Sequence, residues 1–134
     1  MKLYAPFFAL LLLGLGCGAD TYDSQGSNLA RGTDAEISVS DDESGNHRLH
    51  VEIRHLPPPS RLEAGHEFFV VWSIPDGSTP QHVGTLNYDA DDRFGELETL
   101  TPYKDFEVLV TVEEERLPAT PSEHVVIRRE VSHD

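Results

Sequence analysis

Apolar residues along this chain fall into two regimes. From Leu3 to Gly16 they form an almost unbroken, uncharged run of fourteen residues behind the single cation Lys2. From Ile37 onward they alternate with polar residues at a period of two, which puts successive side chains on opposite faces of an extended backbone. Ile37 and Val39 predict a short first strand. Leu49, Val51 and Ile53 alternate with His50, Glu52 and Arg54, predicting a half-buried antiparallel strand over 47–55. Within 66–74, Phe68, Val70 and Trp72 interleave with Phe69 and Val71, so both faces are apolar and a central strand is expected. Further strands are predicted over 81–88, 94–99, 106–113 and 124–131, the one over 106–113 being the most regular. Turn-forming clusters separate them at 41–46, 56–60, 75–80, 89–93 and 117–121. Seven short strands with turn signals every 8–12 residues or so predict an all-β fold, a seven-stranded antiparallel immunoglobulin-like β-sandwich, with an antiparallel barrel as the alternative. Trp72, on the third strand, echoes the core tryptophan of immunoglobulin domains, without the disulfide that it usually covers.

The first regime reads differently. A membrane-crossing helix needs about 20 apolar residues, so the run is short for a span, whereas its length and flanks fit a secretory signal over residues 1–16. Gly14 and Gly16 ahead of Cys17 resemble a bacterial lipobox, although Leu13 lies four residues before the cysteine and Gly14 takes the usual leucine position. The resemblance implies that Cys17 is the lipid attachment residue, with acyl chains anchoring it in a membrane. Gly18 after it implies the outer membrane, and a soluble periplasmic protein is the alternative. Residues 17–33, rich in Gly, Ser, Asp and Asn, are expected to be a flexible tether, and 34–134 the β-sandwich domain.

Charge narrows the partners. Twenty-four acidic residues against ten Lys and Arg give a net charge of −14, which excludes phosphate-backbone binding and disfavours an anionic lipid surface. One cysteine excludes an internal disulfide, so the fold must rest on its core.

From Leu49 to Ile127 the segments "LPPPS", "EFFVVWSI", "HVGTL", "DADDRFGEL", "FEVLVTVEEE" and "TPSEHVVI" follow one another in an order that resembles the extracytoplasmic C-terminal domain of anti-sigma-K factors. The resemblance implies the fold and a place outside the cytoplasm. It does not imply sigma-factor binding, because the helical sigma-binding domain and membrane helix of that family have no counterpart here. In that family the domain is a sensory or scaffold part without catalytic residues. The expected function is therefore a non-catalytic cell-envelope lipoprotein, a binding or sensory and scaffold module with an envelope protein partner. No catalytic, cofactor or metal residue is assigned.

The alternative is a metal-dependent periplasmic hydrolase, or a metal-binding protein, using calcium or zinc at the acidic loops. Asp89, Asp91 and Asp92 with Gly95 and Glu96 are rich in oxygen donors, but Arg93 and Phe94 break the EF-hand spacing. His47 and His55 share one strand face roughly 26 Å apart, too far for a common metal, and His50 points the other way. His50 with Glu52 makes half a site that needs partners from another strand. Glu113–Glu115 is expected to be a solvated guard at a strand end. The loops at Pro57–Pro59 and Pro75–Pro80 are the expected binding surface.

Overall fold

A computed structural model describes residues 18–134. The expected signal segment and Cys17 lie outside these residues. Among the described residues no helix is long and apolar enough to cross a membrane.

Among the described residues, nine antiparallel strands form two sheets. The first sheet runs in the order β1 (Asp20–Gln25), β2 (Asp34–Asp41), β3 (His47–Arg54), β7 (Phe94–Thr101), β6 (Asn87–Asp89). The second runs β5 (Gln81–Thr85), β4 (Phe68–Pro75), β8 (Asp105–Glu113), β9 (Val125–Ser132). The all-β class and two-sheet arrangement match the expectation, while the strand count is nine and not seven. One extra strand arises where the predicted 81–88 strand divides. Leu86 is buried and its N–H donates to the Phe69 carbonyl, so the chain leaves the second sheet there and joins the first as β6.

The other extra strand is β1, and it corrects the expected tether. Asp20 to Gln25 pairs residue by residue with Val39 to Asp34 of β2. A 3-10 turn, Asn28–Ala30, then buries Ala30 and leads to the buried Thr33, whose hydroxyl donates to the His55 carbonyl. Gly26 enters this turn so closely that a Cβ there would stand 1.9 Å from the Ala30 carbonyl oxygen. The Ser27 N–H and hydroxyl reach across to the Val126 and Val125 carbonyls of β9. A polar composition did not free this segment, because backbone pairing asks for no apolar side chains and the few that count, Ala30 and Thr33, are small.

The core between the sheets joins Ile37, Val39, Leu49, Val51 and Ile53 with Phe69, Val71, Val108, Val110 and Val112. Trp72 is not in it. With Val70 and Leu109 it forms a separate cluster on the opposite face of the second sheet, so the echo of the immunoglobulin tryptophan fails in position. The β8–β9 connection helps close that outer cluster. Arg116 lies 5.2 Å over the Phe68 ring, and its carbonyl accepts from the Thr85 hydroxyl. Glu113 is buried beneath the same connection, accepting from the Thr111 hydroxyl and the Ser122 N–H, while Trp72 Nε1 donates to Thr111 at 2.9 Å. The expected solvated guard thus holds for Glu114 and Glu115, which are exposed, and not for Glu113.

Candidate functional site

Alternation along β3 sends His50 and Glu52 to the outer face of the first sheet, and His47 toward the core side. Register does the rest. Glu52 lies opposite Glu96 on β7, which brings Glu96 diagonally to His50. His50 Nε2 is 2.7 Å from Glu96 Oε1 and 3.7 Å from Glu52 Oε1. The half site legible in the sequence therefore finds its third member on the neighbouring strand. All three side chains keep substantial contact with solvent, and Glu52 is also held by Arg54 at 3.1 Å.

A second cluster was not foreseen. β9 ends at Ser132, and the next residue, His133, folds inward until only 6% of it is exposed. Its N–H donates to the Lys104 carbonyl, which fixes the turn-in of the tail. Its Nδ1 lies 2.7 Å from Asp20 Oδ2 on β1, and its Nε2 lies 3.0 Å from Asp41 Oδ1 at the end of β2. His47, directly opposite Asp41 across the β2–β3 hairpin, brings Nδ1 to 3.3 Å from the same carboxylate oxygen. The His47 and His133 rings meet edge to face with centroids 5.5 Å apart. His47 Nδ1 is buried and makes no hydrogen bond, since its approach to Asp41 is close but misaligned.

Electrostatics at this cluster pull in two directions. Burial of the His133 ring disfavours its cation, but hydrogen bonds to Asp20 and Asp41, with the charges of both, outweigh burial and raise its pKa. Nearby, Asp42 is held down to about 2 by hydrogen bonds from the Ser44 hydroxyl and N–H, and then by Arg48. That carboxylate is occupied with the hairpin turn.

The other predicted positions are structural. Asp89 Oδ1 accepts from the N–H groups of Asp91 and Asp92, so it shapes a turn, and these residues do not join a metal-ligand cluster among the described residues. His55 is exposed with φ of 56°, a left-handed break at the end of β3 that separates it from His47. Of the proline loops, Pro57–Pro59 leads into α1 (Pro59–Leu62) and buries Pro59 beside the buried Leu56. The Pro75–Pro80 loop instead borders a groove. Tyr22, Ile74, Phe106 and Val131 line it together with Pro75 and Gly77, and Asp76, Asp105, Glu107 and Glu130 add four acids.

No protein-family model, curated protein or solved structure matches the chain.

Proposed function

We propose that this chain is a lipid-anchored β-sandwich module of the cell envelope that works by binding a cationic segment of a partner protein. The strand order supports an immunoglobulin-like assignment. β2, β3, β7 and β6 in one sheet, with β5, β4, β8 and β9 in the other, follow the order of that fold, and β1 adds one edge strand. The same sandwich agrees with the likeness to the anti-sigma-K C-terminal domain, and the lipobox-like "GLGC" motif supports an anchor at Cys17.

The observation that carries the binding reading is the acidic groove. Glu107 and Glu130 are direct cross-strand partners, and like charges facing each other in a sheet are unfavourable. Arg128 pairs with Glu107, while Glu130 has no ion pair among the described residues. A Lys or Arg side chain laid along the half-buried Ile74, which lies opposite Glu107 across the β4–β8 pair, relieves that repulsion and covers apolar surface with its stem.

Fluorescence anisotropy with labelled Lys- and Arg-containing peptides tests this reading. Binding is expected to weaken with salt and to vanish in Glu130→Lys with Asp105→Lys. Equal binding of acidic peptides, or binding untouched by the double reversal, contradicts it. Anchoring is tested separately, since Cys17→Ser is expected to move the protein from the membrane to the soluble fraction.

A further inference from the structure

We propose that Asp41, His47 and His133 form a binding site for a divalent transition cation of the zinc type, with Asp20 as the residue that orients His133. The inference is independent of the groove.

Two imidazoles and one carboxylate are a donor set suited to zinc and its neighbours, whereas calcium and magnesium prefer oxygen alone. The donor atoms of the three residues lie within 4.8 Å of one another. For bonds of 2.0–2.1 Å, adjacent donors of a tetrahedral zinc site stand about 3.3 Å apart. Asp41 Oδ1 is 3.0 Å from His133 Nε2 and 3.3 Å from His47 Nδ1, so two of the three separations already suit that geometry.

Two further features point to a ligand. His47 Nδ1 is a buried ring nitrogen with no hydrogen bond, and such an atom is costly to leave unused. His133 presents Nδ1 to the Asp20 carboxylate at 2.7 Å, the outer-shell arrangement that fixes ring orientation and strengthens the ligating nitrogen of metal-bound histidines. Asp41 is 75% exposed, which leaves an entry path and room for water at a fourth position.

The His50 cluster fits less well. It offers one nitrogen, already committed to Glu96 at 2.7 Å, and one of its two carboxylates is shared with Arg54. A cation at the His133 site joins the β2–β3 hairpin to the C-terminal tail, and through Asp20 to β1 as well. Binding the native state alone stabilises it by mass action.

The test uses the full chain with the Cys17 thiol blocked, titrated with Zn2+ by calorimetry and with Co2+ by visible absorption. Saturation at one equivalent is expected, with the intense bands of tetrahedral Co2+. His47→Ala removes a ring nitrogen that bonds nothing, so circular dichroism should report an intact fold while affinity falls at least tenfold or so. His47→Phe keeps an aromatic edge against His133 and should lose affinity equally. Asp20→Asn is expected to weaken binding by about 10- to 100-fold. His50→Ala should leave it unchanged. Absence of saturable binding, binding that survives both His47 variants, or binding abolished by His50→Ala overturns the proposal.

Discussion

The two histidine–carboxylate clusters share a chemistry and differ in how the fold holds them. His50, Glu52 and Glu96 stand on the outer face of one sheet, on adjacent strands whose pairing is complete without them. His133 is buried where three separate elements meet: the start of β1, the β2–β3 hairpin and the C-terminal tail. In the first case the strands position the side chains. In the second the side chain positions the strands. The same short contacts are therefore expected to matter very differently for stability.

The largest expected separation comes from detaching β1. A methyl group at Gly26 cannot fit against the Ala30 carbonyl, so Gly26→Ala must displace the turn that presents β1 to β2 and β9. We expect a loss of about 2–3 kcal/mol in urea unfolding. In amide exchange β1 should open while the His50–Glu96 region of the first sheet stays protected. Uniform loss of protection in both regions would erase the distinction.

Next comes His133→Ala, which leaves a small cavity and removes two charge-assisted contacts. A loss of about 2 kcal/mol is expected, moderated by the solvent contact that Asp20 and Asp41 keep. The urea midpoint measures it, and a change no larger than that of His50→Ala would refute the contrast.

The pH dependence has a definite sign. His133 has a raised pKa in the fold, so its contribution is fully present below the unfolded value near 6.5 and is lost as pH rises through the folded-state value. With chelator present, wild-type stability should fall over that window and His133→Asn should be flat across it. Asp42 acts at the opposite limit. Its depressed pKa gives stability present above the unfolded value of 3.8 and lost as pH falls toward about 2. The smallest effect is that of His50→Ala, under about 0.5 kcal/mol, since its partners are solvated.

The contrast also explains what could be read along the chain. Alternation predicted 47–55, 66–74, 106–113 and 124–131, and the structure places β3, β4, β8 and β9 within a residue or two of them, because one-sided or two-sided burial writes a period of two. β1 escaped because its neighbours in space, not its own side chains, make it a strand: Tyr22 is its one large apolar residue. Trp72 does lie on the strand predicted over 66–74, which is the fourth and not the third, but strand alternation cannot say which of two apolar faces meets the other sheet.

The sites follow the same logic. His50 and Glu52 were visible as an i, i+2 pair, whereas Glu96 needed the cross-strand register. His133 carried no signal, since its partners lie 113 and 92 residues away and nothing in a terminal "SHD" marks a buried ring. An excess of histidine over any evident need was the single hint available.

The most direct measurement is an NMR correlation of the histidine ring nitrogens during addition of zinc to the full chain. The structure predicts a slowly exchanging His133 Nδ1–H that persists throughout, bound to Asp20, while His133 Nε2 and His47 Nδ1 shift together to metal-bound positions at one equivalent. Rings of His47 and His133 that stay unperturbed, or a response confined to His50, would contradict the account.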